Sequence, residues 1–260
     1  MSKRINLKAA AQVVIVLAAA YALKYFYSTA SANELRWMLW PTARLSELVT
    51  GIEFTFESYA GYISADRSFL IAAPCAGVNF LIASFVMLTL RKLWNARDTG
   101  AAWQFFPLAA VTAFCLTVIA NSVRISSALW LNSSHATFAG LDREEIHRLD
   151  GILVYFGFLL LLFVVNEMVI SRNSQIRVKT LLLPLAIYYA MTLAVPILNG
   201  ALNQGSEFLQ HAVFVIVAPL LLIILTAAIA RLIAVYPKRE RVAAAAISFP
   251  GGSTADEVGS

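Results

Sequence analysis

Six long apolar blocks, separated by short charged segments, constrain this chain more than any other feature. Each block is long enough to cross about 30 Å of hydrocarbon, which takes about 20 helical residues. The blocks raise the mean hydropathy to +0.73. Only 13% of the residues are charged, whereas soluble domains carry about a quarter. The blocks do not alternate in ten-residue segments, so the pattern excludes an outer-membrane barrel and predicts an all-α polytopic membrane protein.

We expect one transmembrane domain over residues 1–236, followed by a disordered cytoplasmic tail over 237–260, which is small and polar. The six spans are predicted near 8–27, 75–92, 102–123, 149–170, 181–199 and 212–233. In this arrangement, 13 of the 20 Lys and Arg residues fall on one side of the membrane. Because basic residues accumulate in cytoplasmic loops, both termini are expected in the cytoplasm.

The first span also has features of a signal peptide, since Ala30-Ser31-Ala32 offers an A-x-A cleavage pattern. We interpret it as an uncleaved anchor that ends in an interfacial belt, from Lys24 to Tyr27. After this anchor, Trp37 and Trp40 indicate the membrane surface. Apolar residues at helical spacing over 45–49 then predict a helix that lies flat on it.

A short β-structure is predicted between this surface helix and the second span. Residues 52–57 alternate between apolar and polar with a period of two, and 69–71 is strand-like. Gly61 and residues 65–68 supply turn chemistry. We therefore expect one or two hairpins that lead the chain to Pro74.

Cys75 lies in the segment 74–80, Pro-Cys-Ala-Gly-Val-Asn-Phe, at the outer edge of the second span. Proline favours a helix start, which places Cys75 in or beside the first helical turn. Unpaired N–H groups and the helix dipole there favour a thiolate. A lone membrane cysteine is more often a small buried hydrophobe, and that interpretation fits Cys115, in the middle of a span.

Arg124 follows Asn121 by three residues at the outer end of the third span, so the two share a helix face. A basic residue at a span end is commonly a snorkelling anchor. Arg124, however, lies on the side where bases are few. Its guanidinium presents several donors in a fixed fork, which suits a carbonyl oxygen that becomes negative in acyl transfer.

His147 is expected at the outer interface, near the start of the fourth span. Asp142 and Glu145 have capping-box spacing, which predicts a helix that begins just after Asp142. Surface histidines are usually bystanders, but near neutral pH an imidazole can both accept and release a proton. His135, in the preceding loop, is the reserve candidate.

A cysteine, an arginine and a histidine near the outer ends of three spans are the parts that cysteine acyl transfer needs. The chain has two cysteines and three histidines, which are too few for a disulfide framework or a metal site. No metal or cofactor is expected. The scattered bases form no patch that would indicate nucleic-acid binding.

Three segments together resemble the exosortase/archaeosortase family: 74–80, then 121–125 (Asn-Ser-Val-Arg-Ile), then 147–151 (His-Arg-Leu-Asp-Gly). The resemblance covers roughly residues 8–170 and is nearest to the K-type subgroup. It implies a bacterial inner-membrane transpeptidase that cleaves C-terminal, PEP-CTERM-like sorting signals of exported proteins on the periplasmic side.

On this resemblance Cys75 is the nucleophile, Arg124 stabilises the oxyanion and His147 protonates the leaving amine. Asn79 and Asn121 are expected to bind substrate. The partners would be sorting-signal segments and membrane lipid. The role of residues 171–260 is left open.

Two alternatives come from other functional classes. In a transporter or assembly scaffold, the same residues would be anchors and packing. The spans contain few ionisable residues and the halves show no repeat, which argues against transport; Glu167 is expected to be solvated near the cytoplasmic end. A cysteine acyltransferase that moves lipid chains would use the same thiolate, so sequence alone does not separate the two acyl donors.

Overall fold

The structure is a computed structural model that describes residues 7–95, 100–133, 140, 142–171 and 178–247. Within these ranges, six helical stretches are long and apolar enough to cross a membrane. The described residues also contain a shorter helix, several 3₁₀ and π-helical turns and three short strands. The prediction of an all-α polytopic membrane protein is therefore confirmed.

The helices follow the predicted spans but differ from them at their ends. In chain order they are α1 (Leu7–Thr29), α2 (Arg36–Thr50), α3 (Val78–Asn95), α4 (Gly100–Ser133), α5 (Arg143–Ser171), α6 (Leu182–Tyr189), α7 (Val195–Leu198) and α8 (Ser206–Ile247). Helix α4 continues to Ser133, well beyond its predicted end at residue 123. Arg124 therefore lies within a helix and not at its end.

The predicted fifth span is a broken helix. A π-helical turn, Ala190–Ala194, separates α6 from α7. Pro196 explains the break, because a proline lacks an N–H and its ring clashes with the carbonyl four residues earlier, here that of Thr192. Turns of this kind widen a helix locally and are frequent at functional sites.

The chain divides into two compact units, Met1–Leu220 and Leu221–Ser260. The described part of the second unit is the remainder of α8. This helix runs to Ile247 and so includes residues 237–247, which the sequence analysis placed in a disordered tail. Four consecutive alanines, 243–246, explain the extension, because alanine is the strongest helix former. Residues 248–260 lie outside the described part of the chain.

In the first unit α3 is the central helix. The span that contains it is 67% buried, whereas the other five spans are 11–33% buried. It packs against α1, α4, α5 and α6. Near its end, Arg91 donates two hydrogen bonds to Glu167 of α5, with Nη2 2.5 Å from Oε2. Glu167 is only 7% exposed, so the expectation that it is solvated is wrong.

A three-stranded antiparallel sheet precedes α3, with β1 (Phe54–Glu57), β2 (Gly61–Ser64) and β3 (Leu70–Ile71) in sequential order. The central strand was missed because Gly61 was interpreted as a turn residue. Gly61 pairs with Glu57 and has a φ of 125°. A Cβ there would lie 2.3 Å from the Ile71 carbonyl oxygen, so the close approach of the strands requires glycine.

The turn between β2 and β3 is closed by Asp66. Its carboxylate accepts hydrogen bonds from the hydroxyls of Ser64 and Ser68 and from the Ser68 amide. These donors lower the pKa of Asp66 to about 2. The predicted turn over residues 65–68 is thus present.

Helix α2 connects the sheet to the bundle. Its buried face packs on α4, where the Ser122 hydroxyl donates to the Thr42 carbonyl at 3.1 Å. At its other end, Glu47 accepts a hydrogen bond from the Phe54 amide of β1 at 2.8 Å. Because β3 ends only four residues before Cys75, α2 and the sheet fix where the chain enters α3.

Candidate active site

Cys75 lies in a 3₁₀ turn, Ala73–Ala76, that precedes α3. Its amide is already used, donating to the Ala72 carbonyl at 2.8 Å. Gly77, in the left-handed conformation, separates this turn from the first residue of α3. Cys75 therefore does not lie at the start of α3, where unpaired N–H groups were expected to favour a thiolate. The thiol is free and the residue is half-buried.

Two helices hold the Cys75 turn by hydrogen bonds, and a third helix supports one of these bonds. From α1, the Tyr27 hydroxyl donates to the Pro74 carbonyl at 3.1 Å. From α4, Nδ2 of Asn121 donates to the Cys75 carbonyl at 2.5 Å. From α5, the Tyr155 hydroxyl donates to Oδ1 of Asn121 at 2.8 Å.

This arrangement changes the role expected for Asn121. The residue is completely buried, and both ends of its amide are occupied by protein groups. It has no accessible atom with which to bind substrate. Asn121 therefore positions the Cys75 backbone.

Gly77 allows the turn to approach α4. Its φ is 72°, a conformation that residues with a Cβ adopt at a cost. A Cβ would also lie 3.1 Å from Cγ2 of Thr117 and 3.4 Å from Cγ of Asn121. Both the conformation and the space thus require glycine beside the cysteine.

Arg124 lies between the other two candidate residues. Its Nη2 is 3.2 Å from Nε2 of His147, and the guanidinium is within electrostatic range of the Cys75 thiol and the Tyr155 hydroxyl. It also lies over the Tyr155 ring, 5.6 Å from the centroid. Its side chain is thus directed into the protein towards Cys75, which an anchor in the lipid headgroups would not be.

Two neighbours on α5 complete the surroundings of Arg124. Nε of Arg124 is buried without a hydrogen-bond partner, and a Cβ on Gly151 would lie 3.2 Å from it. Asp150 is within electrostatic range of both Arg124 and His147 and accepts a hydrogen bond from Ser127 at 2.9 Å. Asp150 therefore supplies a negative charge beside the two basic side chains.

His147 is held by the predicted capping box at the start of α5. The Glu145 amide donates to Oδ1 of Asp142 at 2.8 Å, and the Asp142 amide donates to Oε2 of Glu145 at 3.0 Å. The helix begins at Arg143, directly after Asp142, as predicted. His147 is exposed. The reserve candidate, His135, lies outside the described residues.

Asn79 is exposed on the first turn of α3 and lines a cavity beside the site. Its Oδ1 accepts a hydrogen bond from Nζ of Lys24 at 2.7 Å. Lys24 and Tyr27, which the sequence analysis placed in an interfacial belt, thus both support the segment around Cys75. Asn79 stays a candidate for substrate binding.

The cavity has a volume of about 300 Å³. Arg124, His147 and Tyr155 line it, together with Pro74 and Gly77 on either side of Cys75. Cys75 itself is not a lining residue. The opposite wall comes from the part of the chain whose role was left open: Tyr188, Met191, Thr192, His211 and Val215. The π-helical turn contributes two of these residues.

Sequence reasoning missed several residues that support or line the site. Tyr155 was signalled only by a hydroxyl within an otherwise apolar run. Asp150 lies three residues after His147, a spacing that puts both on one helix face. His211 had no such neighbour in sequence, because only the packing of α8 brings it to the cavity.

The cluster offers a nucleophile beside the cavity, and a fixed cation and a proton acceptor that line it. Among the described residues, no group of three or more His, Cys, Asp and Glu side chains could hold a metal ion. No protein-family model, curated protein or solved structure matches this chain.

Proposed function

We propose that this chain is a membrane-embedded cysteine transpeptidase or peptidase that resembles the exosortase/archaeosortase family. It would cleave C-terminal sorting signals of exported proteins through a thioester. The observation that carries the proposal is the position of Arg124, which lies within electrostatic range of Cys75 in the turn before α3 and 3.2 Å from Nε2 of His147 on α5. Residues far apart in sequence are thus brought together in the combination that acyl transfer needs.

In the first step the Cys75 sulfur attacks the carbonyl carbon of the scissile peptide bond. Arg124 offsets the negative charge of the sulfur before the attack. As the carbon–sulfur bond forms, that charge moves to the carbonyl oxygen, and the guanidinium donates hydrogen bonds to it. Asn121 and Gly77 keep the cysteine backbone fixed during this step, so little reorganisation is needed.

The contact between Arg124 and His147 determines which nitrogen of His147 can accept a proton. A guanidinium only donates, so Nε2 of His147 is an acceptor and the neutral ring carries its proton on Nδ1. When the substrate oxygen engages Arg124, Nε2 is released and takes the proton of the Cys75 thiol. His147 then gives this proton to the departing amine as the carbon–nitrogen bond breaks.

The second half of the reaction reverses these roles. An acceptor amine or a water molecule attacks the thioester carbon, and Nε2 of His147 removes its proton. Collapse of the intermediate breaks the carbon–sulfur bond and restores the cysteine. The product is a new amide in transpeptidation or a free carboxylate in hydrolysis.

A reporter protein with a C-terminal PEP-CTERM-like signal tests the proposal in bacterial membranes. Cys75→Ala should accumulate the uncleaved, membrane-bound precursor, while the matched Cys115→Ala variant should process it normally. Normal processing by Cys75→Ala would overturn the assignment and leave the transporter or scaffold alternative.

The mass of the intermediate separates a peptidase from a lipid acyltransferase. Enzyme purified after brief exposure to the reporter should carry a hydroxylamine-sensitive adduct on Cys75 with the mass of the cleaved reporter. An adduct with the mass of a fatty acyl group would instead assign lipid transfer. The Cys75→Ala enzyme is the negative control and should carry neither adduct.

The proposal includes a location in the bacterial inner membrane, with both termini in the cytoplasm and the site facing the periplasm. The distribution of basic residues supports this orientation. Alkaline phosphatase fused after residue 260 should be inactive, because that enzyme needs the oxidising periplasm. An active fusion would reverse the orientation.

A further inference from the structure

A second cavity lies at the other end of α3, away from Cys75. Arg91 is 13 residues beyond Val78, the first residue of α3, which corresponds to about 20 Å along the helix axis. The cavity there has a volume of about 660 Å³ and is lined by residues of α1, α3, α5 and α6 and of the 3₁₀ turn Val178–Leu181. It shares no lining residue with the cavity at the candidate active site.

Most of this lining is apolar and contributed by four helices. Ala10 and Val13 of α1, Phe163 of α5 and Leu183 of α6 are examples. A volume of this size is in the range of ligand sites. Its apolar walls suit a hydrocarbon chain, which the surrounding membrane supplies.

The charged lining residues are both basic, Arg91 and Lys179. Arg91 is neutralised by its ion pair with Glu167. Lys179 is exposed, and no acidic residue in the described ranges forms an ion pair with it. Among the described lining residues, Lys179 thus carries a positive charge that no ion pair compensates, on a long side chain that can reach the interface.

We propose that this cavity binds an anionic phospholipid, with an acyl chain between α1 and α6 and the headgroup phosphate at Lys179. Charge complementarity selects the headgroup. A zwitterionic lipid offers the same acyl chains without the net negative charge. This site is independent of the reaction at Cys75.

Lipid retention by the purified full-length protein tests the proposal. The protein is incubated with an equimolar mixture of palmitoyl-oleoyl phosphatidylglycerol and phosphatidylethanolamine, and retained lipids are counted by native mass spectrometry. Wild-type protein should retain phosphatidylglycerol preferentially. Lys179→Gln should reduce that preference about fivefold, the effect of one basic residue near a lipid surface, whereas Lys179→Arg should keep it.

Lys92→Gln is the matched control, because this neighbouring lysine lies over the Phe105 ring, 5.3 Å from its centroid, and does not line the cavity. It should leave the preference unchanged. Ala10→Phe should fill the cavity and reduce retention of both lipids. Monodisperse elution in size-exclusion chromatography identifies the variants that are folded.

Three results would overturn the proposal. Equal retention of the two lipids by the wild type would exclude selection by charge. If Lys92→Gln and Lys179→Gln reduced the preference for phosphatidylglycerol equally, only the total positive charge near the end of α3 would matter. Unchanged retention in folded Ala10→Phe would place the lipid outside the cavity.

Discussion

Nη2 of Arg124 lies 3.2 Å from Nε2 of His147. The two side chains come from α4 and α5, and neither helix has both groups. Because arginine keeps its proton, this contact fixes the tautomer of the histidine before substrate arrives. A substrate oxygen that competes for the guanidinium would free the imidazole when a proton acceptor is needed.

Arg124→Lys should reduce processing of the sorting-signal reporter by about a hundredfold or more, the usual cost of losing one oxyanion donor. Lysine keeps the charge, so a lipid anchor would tolerate the change, but its single ammonium cannot reach the substrate oxygen and His147 together. Processing rates at equal membrane levels give the measurement. Arg44→Lys is the control, because the Arg44 side chain is 54% exposed and pairs with Glu47. Wild-type rates for Arg124→Lys would mean that Arg124 is an anchor.

His147→Gln should separate two kinds of substrate. Cleavage of a peptide bond should fall by a factor of about 10² to 10⁴, because the amine must be protonated as it leaves. An activated ester, whose leaving group needs no proton, should still acylate Cys75. Single-turnover measurements with both substrates give the comparison.

The other two histidines are the controls for this experiment. His211→Gln changes a residue that lines the cavity but, among the described residues, forms no hydrogen bond with Arg124, which contacts His147 instead. His135→Gln tests the reserve candidate of the sequence analysis. If His135→Gln loses peptide cleavage while His147→Gln keeps it, the site must be rebuilt around the loop at 132–137.

The two cysteines should differ in labelling from outside the cell. A membrane-impermeant maleimide added to intact spheroplasts should modify Cys75, which lies at the start of its span, but not Cys115, in the middle of α4. Maleimide needs a hydrated thiol, and Cys115, although exposed in the structure, would face lipid. Labelling of Cys75 only after permeabilisation would reverse the orientation, and labelling of Cys115 would put water beside α4.

The parts of the site that sequence predicted are those that depend on local chemistry. The capping box at Asp142 and Glu145 is an interaction between residues three apart, and it is present as predicted. The apolar blocks likewise predict spans because the bilayer imposes a length on each helix separately. Local rules therefore located His147 at the first turns of α5.

The roles that sequence misjudged depend on long-range contacts. Asn121 was expected to bind substrate, but its side-chain amide is hydrogen-bonded to Cys75 and Tyr155, which lie 46 and 34 residues away. The burial of Glu167 depends in the same way on Arg91, 76 residues earlier. The periodicity of residues within one helix does not predict which other helix its polar face will contact.

Gly77→Ala should inactivate the protein by moving the Cys75 turn. The left-handed φ costs about 1–2 kcal/mol for a residue with a Cβ, and the new methyl would press on Cγ2 of Thr117 at 3.1 Å. Thr117→Ser removes that methyl and keeps the hydroxyl that donates to Ala113. The double variant should therefore recover part of the processing rate, and the residual deficit should reflect the backbone alone. No recovery would mean that contact with Thr117 is not the cause.

The buried ion pair between α3 and α5 should matter for stability only when one partner is removed. The Arg91 and Glu167 side chains are 16% and 10% exposed. Glu167→Leu should lower the free energy of unfolding by about 3–5 kcal/mol, because it removes the carboxylate that compensates a buried arginine charge. Arg91→Met combined with Glu167→Leu should restore most of the loss, since two apolar side chains replace two compensated charges.

Unfolding of the purified variants in mixed micelles of increasing denaturing detergent measures these free energies. Glu57→Leu is the matched control, because Arg67 and Glu57 form a pair whose side chains are 70% and 43% exposed. Glu57→Leu should lower the free energy of unfolding by at most about 1 kcal/mol, because exposed ion pairs contribute no more than that. If Glu167→Leu costs no more than Glu57→Leu, water reaches Arg91 at this end of the bundle and the pair does not hold α3 against α5. If the double variant is no more stable than Glu167→Leu, replacing both charges by apolar side chains does not offset the loss, and the ion pair itself stabilises this contact.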